Sequence, residues 1–318
     1  MAINTQIHQQ LEHTLDNYRV NSNIEHYKGK VRNNFIIDDK IIMVTSDRVS
    51  AFDHVLGTIP YKGQILTDIA SFWFDKTKDI VPNHFISQVD PQVLLVKKAK
   101  TLPVEVIVRG YITGSLWREY SSGINGQYGF LLPENLKQNQ KFDKPILTPS
   151  TKAEYGLHDE PISREKIINE LVEESIYSKA EEYAMELFKT GQKWAAENGL
   201  ILVDTKYEFG IVNDELIVID EIHTPDSSRY WIENEYLERY NIEKKQKMLD
   251  KENIRQWLID RGFSGSGEPP KLSDEIRVSL AENYFDLYKK LTGNDFNPSS
   301  GDVLSRIKNN LEKYNIFE

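Results

Sequence analysis

The stretch that decides the fold is Val203-Asp204-Thr205-Lys206-Tyr207-Glu208-Phe209-Gly210, followed by Val218-Ile219-Asp220-Glu221. Successive side chains of a strand point to opposite faces of the sheet. The first segment alternates between aromatic and charged residues, which predicts a strand with one apolar and one charged face. We therefore predict a hairpin with strands over 200–212 and 216–222, joined by a three-residue loop at 213–215.

The predicted register places Glu208 directly opposite Asp220, with the two Cβ atoms roughly 5 Å apart. Carboxylates at that separation repel each other unless a cation or a proton lies between them. Magnesium suits this position because it takes few protein carboxylates and completes its octahedron with water and nucleotide phosphates. A surface hairpin with one solvated face carries the same residue types, so the pattern alone leaves both interpretations open.

The elements around this hairpin begin mainly with strands and end with helices. We predict strands over 27–37, 41–45, 93–96 and 104–108, and helices near 64–78, 179–198, 252–260, 274–291 and 302–313. Ser178 with Glu181 predicts a capping box for the second helix, and Gly199 predicts its end. Residues 121–161 are rich in Gly, Pro, Asn and Gln and predict long loops.

This order favours the α+β class over a doubly wound sheet. We predict an N-terminal antiparallel-sheet domain over residues 1–102 and a larger α+β domain over 103–318, which ends in the C-terminal helices. The chain is long enough for two domains, and its 318 residues include no cysteine, which excludes disulfides and thiolate catalysis.

The net charge of -10 does not favour binding to a nucleic acid, which is a polyanion. A small anionic substrate must therefore bind at a local cluster of Lys and Arg. No apolar run approaches the ~20 residues that span a bilayer. The N-terminus also lacks the pattern of a signal peptide. These features predict a soluble cytoplasmic protein that binds neither nucleic acid nor membrane, and they leave its oligomeric state open.

Three segments are candidates for binding an anion. In 29–32, Gly29 lets the backbone approach a phosphate between basic side chains, although a basic edge strand is a common protection against aggregation. In 108–115, Arg109 ends a strand and Ser115 opens a helix, which suits a phosphate monoester, although a plain helix cap has the same pattern. The turn at 224–229 offers Arg229, and taken alone it is an ordinary proline turn.

These segments together resemble the phosphoribosylaminoimidazole-succinocarboxamide synthase (SAICAR synthetase) family. The resemblance extends to about Gly293, fits the longer form of the family, and rests on blocks at 29–32, 46–53, 105–115, 148–159, 204–210 and 220–229. One departure is Asn33-Asn34-Phe35, where the family often has an acidic residue and ends on tyrosine. The resemblance implies an N-terminal antiparallel sheet and an α+β domain with an ATP cleft between them, somewhat as in kinases and ATP-grasp enzymes.

The resemblance also implies a reaction in which ATP activates the carboxylate of carboxyaminoimidazole ribonucleotide (CAIR) and L-aspartate then forms the amide. It implies ATP-binding residues at Gly29, Lys30, Arg32, Leu102 (through its backbone) and Lys152. It implies two magnesium ligands, which are Glu208 and Asp220. It implies substrate-binding residues at Arg109, Ser115, Arg229, Asp53 and Asp159, and catalytic residues at Lys206, beside the activated carboxylate, and Asp204, which orients it.

Two other functions use the same cleft. A phosphotransferase would pass the phosphoryl group to a hydroxyl and release ADP without aspartate. A non-catalytic nucleotide-binding module would bind ATP without any aspartate-dependent release of phosphate. The combined set of Arg109, Ser115 and Arg229 argues against both, because a kinase-like site does not require it.

Overall fold

The computed structural model describes residues 2–52, 54–152, 159–249 and 252–317. Within those ranges the strands are β1 (His26–Lys28), β2 (Arg32–Ile37), β3 (Lys40–Thr45), β4 (Arg48–Ala51), β5 (His54–Thr58), β6 (Phe85–Asp90), β7 (Val93–Lys97), β8 (Lys100–Tyr111), β9 (Lys141–Leu147), β10 (Ser150–Thr151), β11 (Leu200–Val212), β12 (Glu215–Ile219) and β13 (Ser228–Ile232). The α-helices are α1 (Ala2–Gln10), α2 (Lys62–Thr77), α3 (Gly114–Ser121), α4 (Arg164–Glu170), α5 (Glu174–Glu197), α6 (Glu233–Asn241), α7 (Glu252–Ile259), α8 (Asp274–Thr292) and α9 (Val303–Asn310).

The first sheet is antiparallel, with the strand order β1-β2-β3-β7-β6. Its two faces differ because side chains alternate along each strand. On one face, apolar side chains pack against α9, and the members of this cluster include Phe35, Ile42, Val44, Val93, Val303, Ile307 and Leu311. On the other face, Ile41 and Met43 line a large cavity. The C-terminal helix therefore covers the back of the N-terminal sheet.

The prediction of one continuous strand over 27–37 is wrong, because the chain turns at Gly29. The amide of Gly29 donates to the carbonyl of Arg32 at 2.7 Å, which makes 26–37 a tight hairpin. A Cβ on Gly29 would lie 2.9 Å from that same carbonyl oxygen, so the turn requires glycine.

The second sheet has six strands, and β11 lies at its centre. β8 pairs with β11 on one side, and β12 and β13 pair with it on the other. The buried apolar face packs against α5, and its members include Val104, Val106, Val108, Tyr207, Phe209, Ala184, Leu187 and Phe188. The predicted alternation along β11 is confirmed, since its charged residues occupy the opposite face.

The predicted register of the β11–β12 hairpin is wrong by one residue. The loop has two residues, Asn213 and Asp214, and both have positive φ (50° and 64°), the conformation that two-residue hairpins favour in Asn and Asp. Glu208 therefore pairs with Ile219. Asp220 follows the end of β12 with a φ of 64°, so a left-handed turn sets the direction of its side chain.

Two other local predictions also differ from the structure. Helix α5 begins at Glu174, so Ser178 lies inside its second turn. Arg164 donates hydrogen bonds to Ser178 Oγ (2.8 Å) and Glu181 Oε2 (2.9 Å). The expected capping box is therefore absent, although Gly199 follows the helix with a φ of 68°. The region 121–161 contains β9 and β10, which hydrogen-bond to β8, rather than loops alone.

The predicted α+β class is confirmed, with antiparallel sheets and C-terminal helices. The chain passes from the first sheet to the second between Lys97 and Lys100, next to the division at residue 102 that the sequence predicts. That domain division stays a prediction. No helix in the described part of the chain is both long and apolar enough to cross a membrane.

Candidate active site

A cavity of about 1260 Å³ lies between the two sheets. Ile41 and Met43 of the first sheet and Lys206 and Glu208 of the second contribute to its walls. Its volume exceeds the range of roughly 300–1,000 Å³ for single small-molecule pockets. The cavity therefore has room for a nucleotide together with a further substrate.

The charged face of β11 carries an ammonium group between two buried carboxylates. Lys206 Nζ lies 2.6 Å from Glu105 Oε1 and 2.8 Å from Glu208 Oε1. Glu105 of β8 pairs directly with Glu208 across the strands, so the two acids would repel each other without this cation. Lys152 also pairs with Glu208. The carboxylate directly opposite Glu208 is therefore Glu105, and not Asp220 as the sequence predicted.

These contacts set the protonation states of the group. Burial opposes ionisation of Glu208, yet Lys206 and Lys152 outweigh it and hold the pKa of Glu208 below its usual range. Burial also acts against the charge of Lys206, but Glu208 and Glu105 raise its pKa well above the usual value. For Glu105, burial raises the pKa against the opposing effect of Lys206. Lys206 and Glu208 are therefore charged at neutral pH.

A second ion-pair group lies at the end of β12. Arg32 Nη2 lies 2.5 Å from Glu221 Oε2, and Arg32 Nη1 lies 3.4 Å from Asp220 Oδ1. Thr224 also donates to Glu221. Burial raises the pKa of Asp220, while Arg32 acts in the opposite direction. Despite the register error, Asp220 lines the same cavity as Glu208, because its left-handed turn redirects the side chain.

A third group is centred on Asp204, which comes two residues before Lys206 on β11. Asp204 lies between two arginines on the neighbouring strands, and its Oδ2 accepts hydrogen bonds from Arg109 Nη1 (3.1 Å) and Arg229 Nη1 (3.0 Å). Arg109 also donates to Ser115 Oγ at 3.3 Å. Gly114 has a φ of 59°, which favours glycine at the start of α3, and a Cβ there would displace the guanidinium of Arg229. The structure thus brings together the predicted set of Arg109, Ser115 and Arg229.

The other predicted residues are distributed as follows. Those that line the cavity are Gly29, Lys30, Arg32, Lys152 and Asp159. The Leu102 side chain packs into the main core, and its neighbour Thr101 lines the cavity. Asp53 and residues 153–158 lie outside the described residues. The roles that the sequence assigns to all of these residues stay predictions.

Sequence reasoning gave no role to several residues of the site. Glu105 is one, although its alternation with Val104 and Val106 would have placed it on the same face as Arg109. Lys62 is another, since it is fully buried and pairs with Asp226 at the cavity wall (2.7 Å). Lys62 precedes Gly63 at the start of α2, and no local pattern indicates a partner 164 residues away.

No group of three or more His, Cys, Asp and Glu side chains within the described residues has the arrangement of a metal site. The acidic donors of the cavity belong instead to pairs with Lys and Arg. Any cation bound there must therefore compete with these basic groups for the acidic side chains.

The model of the SAICAR synthetase family matches residues 25–270. The chain belongs to this family. It is 45% identical to the phosphoribosylaminoimidazole-succinocarboxamide synthase of Bacteroides thetaiotaomicron over 91% of this chain and 94% of that protein. It is 47% identical to the enzyme of the same name from Cytophaga hutchinsonii, over 90% and 94% of the two chains.

Solved structures of the family have the same fold. The SAICAR synthase of Saccharomyces cerevisiae, described as complexed with SAICAR, aligns with a TM-score of 0.79 and 33% identity, over 90% of this chain and all of that one. A SAICAR synthetase described as in complex with ADP aligns with a TM-score of 0.66 and 27% identity, over 86% of this chain and all of that one. The resemblance inferred from the sequence blocks is therefore confirmed.

We predict that Lys206→Met lowers the free energy of unfolding by roughly 2 kcal/mol at pH 8, because Glu105 then stays buried without its cation. The folded-state pKa of Glu105 rises further in this variant, so the protonated carboxyl is favoured in the native state. The loss of stability in this variant is therefore smallest below the pKa that Glu105 has in the unfolded chain. It grows as the pH rises through the pKa of Glu105 in the folded protein. Urea denaturation at several pH values measures it.

The matched control is Lys179→Met, which removes an exposed lysine from an i,i+3 pair with Glu182. We expect little change in the free energy of unfolding at any pH for this control, because solvent screens an exposed ion pair. Equal, pH-independent effects of both substitutions would show that Lys206 does not hold Glu105 in its charged form.

Proposed function

We propose that this chain joins CAIR to L-aspartate in an ATP-dependent ligation of purine biosynthesis, giving SAICAR, ADP and phosphate. The observation that carries the proposal is the arrangement of three groups: two line one cavity, and the third adjoins Lys206 on the same face of β11. The basic hairpin at Gly29–Arg32, the Lys206 group on β11 and the Arg109–Arg229 group follow one another, as a triphosphate, a reacting carboxylate and a nucleotide phosphate require. Membership of the SAICAR synthetase family supports the same reaction.

ATP binds along the first sheet in this proposal. Its phosphates lie at Gly29, Lys30 and Arg32, and its adenine lies near the backbone of Leu102, where Thr101 lines the cavity. Lys152 is within reach of the phosphates, because it already extends into the cavity to Glu208. The SAICAR synthetase structure described with ADP supports a nucleotide in this family of folds.

Glu208 and Asp220 fit a magnesium ion that accompanies ATP. Both line the cavity, and the negative charge of Glu208 helps to raise the pKa of Asp220. Two carboxylates are the usual protein share of a magnesium site, with water and phosphate oxygens as the remaining ligands. When bound, the ion supplies positive charge that neutralises the phosphate oxygens.

The Arg109–Ser115–Arg229 group binds the phosphate of CAIR. Two guanidinium groups, a hydroxyl and the start of α3 are the donors that a phosphate monoester prefers. Asp204 keeps both arginines in place through hydrogen bonds of 3.0 and 3.1 Å. Because Lys206 is two residues from Asp204 on the same face, CAIR bound here extends its carboxylate toward Lys206.

The reaction then needs two displacements. The CAIR carboxylate oxygen attacks the terminal phosphorus of ATP, so an acyl phosphate forms and ADP leaves. The amine of aspartate attacks the acyl carbon, loses a proton, and expels phosphate as the amide forms. Phosphoryl transfer depends mainly on positioning and on neutralisation of charge, which Lys206, Lys30 and Lys152 supply.

Asp53 and Asp159 are expected near the substrates, and Asp159 lines the cavity. ATP, a phosphorylated nucleotide and aspartate are metabolites of the cytoplasm. We therefore place the reaction in that compartment.

The test is release of ADP from the purified chain with ATP, magnesium and CAIR, with and without L-aspartate. We expect sustained turnover only when aspartate is present, because the amine completes each cycle. Aspartate-independent turnover with a hydroxyl acceptor would indicate a phosphotransferase instead. Nucleotide binding without any turnover would indicate a binding module.

Asp220→Asn is expected to lower turnover by at least a hundredfold while leaving the thermal midpoint within a few degrees of the wild type. Asn tolerates the left-handed backbone at this position, so the substitution removes charge with little added strain. The control is Asp214→Asn, which lies in the exposed turn of the same hairpin and also has positive φ. Turnover of Asp220→Asn equal to that of this control would refute the metal assignment.

Gly114→Ala is expected to raise the KM for CAIR by tenfold or more with a smaller change in the KM for ATP. The added methyl group displaces the Arg229 guanidinium and so weakens its contact with the substrate phosphate. Gly123→Ala is the control, because Gly123 also has a positive φ (84°) and a Cβ added there would meet no atom within 4 Å. Parallel increases in both KM values would argue against a phosphate site at Arg229.

A further inference from the structure

The short segment Ser46 to Arg48, which follows β3, holds the backbone of the hairpin at Gly29–Arg32. Arg48 Nε donates to the carbonyl of Lys30 at 2.9 Å, and Arg48 Nη2 donates to the carbonyl of Gly29 at 3.1 Å. The carbonyl of Val31 accepts from the Ser46 amide at 2.9 Å and from Ser46 Oγ at 2.5 Å. Three consecutive carbonyl oxygens are therefore fixed by one segment.

The same hydrogen bonds determine where the amide groups of the hairpin point. In a trans peptide the carbonyl of one residue and the N–H of the next point in opposite directions. When Arg48 draws the carbonyls of Gly29 and Lys30 toward itself, the N–H groups of Lys30 and Val31 point away from it. Gly29, Lys30 and Val31 all line the cavity, so these donors lie at the border of the space where the triphosphate is expected.

Hydrogen bonds to protein acceptors hold the Arg48 guanidinium in place, although Arg48 also contributes to the cavity wall. It is 2% exposed, and two further hydrogen bonds, to the Asp16 carbonyl (2.6 Å) and to Asn33 Oδ1 (2.9 Å), fix its guanidinium. All four of these acceptors are neutral. A cation at the carbonyl end of a peptide polarises that peptide and strengthens its N–H as a donor. Successive N–H groups that point into one concavity form an anion site.

We propose that Arg48 is a positioning residue for nucleotide binding, which orients the Lys30 and Val31 amides as donors to the phosphates. The inference rests on the proposed ATP site. It adds that phosphate affinity depends on the backbone of the hairpin as well as on its basic side chains, and that a residue outside the hairpin controls that backbone.

The first test is the dissociation constant of ADP for Arg48→Lys, measured by calorimetry without the other substrates. Lysine keeps the charge but cannot hold both carbonyls with a planar fork, so we expect ADP to bind at least tenfold more weakly. The control is Arg277→Lys. Arg277 also donates to backbone carbonyls, those of Thr58 and Leu11 (both 2.8 Å), but it lies on α8 away from the hairpin.

A purely structural role would lower the thermal stability of both variants while the folded fraction of each binds ADP as the wild type does. Unchanged ADP affinity in Arg48→Lys overturns the proposal. If the wild type itself fails to bind ADP, the proposed function fails together with the inference. If the wild type binds ADP and Arg48→Lys binds it equally well, only the inference fails.

The second test needs no variant and stands even if Arg48→Lys does not fold. Amide signals of the wild-type protein are compared by NMR with and without ADP. We expect slower hydrogen exchange and downfield shifts of the Lys30 and Val31 amides, because each becomes a donor to a phosphate oxygen. Unchanged exchange at both amides in the ADP-saturated protein overturns the proposal.

Discussion

The site depends on an ammonium group held between two carboxylates in the middle of a sheet. Glu105 and Glu208 are paired across β8 and β11, and their repulsion would disfavour this register if Lys206 did not lie between them. Lys152 adds a second cation to Glu208. The positive charges that stabilise the pairing of β8 with β11 are therefore the same ones that line the cavity.

This charged face is stable because its reverse side is strongly apolar. Tyr207 and Phe209 alternate with Lys206 and Glu208 along β11, and they pack with α5 in the main core. Such packing fixes the strand, so the ionised groups keep their positions without a compensating rearrangement. Electrostatic stabilisation of a phosphoryl transfer requires groups that are already in place before the reaction.

Much of this arrangement could be predicted from the sequence because it depends on local periodicity. The strand at 200–212, its two faces and the end of α5 at Gly199 all follow from neighbouring residues. The error in the β12 register came from a single loop residue, since Asn213 and Asp214 close a two-residue turn. The predicted start of α5 was wrong because the helix extends over Glu174–Tyr177, before the expected capping box, whose side chains bond to Arg164 instead.

The sequence alone determined which residue types meet on the face of β11, and its blocks were specific enough to indicate the family. The tertiary structure decided which strands lie beside β11, and therefore that Glu105 is the acid opposite Glu208. It also placed Arg48 against the backbone of the hairpin at Gly29–Arg32, and Lys62 beside Asp226. The alternation of residue types along a strand predicts only which side chains of that strand share a face. A buried charge is instead stabilised by whichever partner the packing of the chain brings within hydrogen-bond distance.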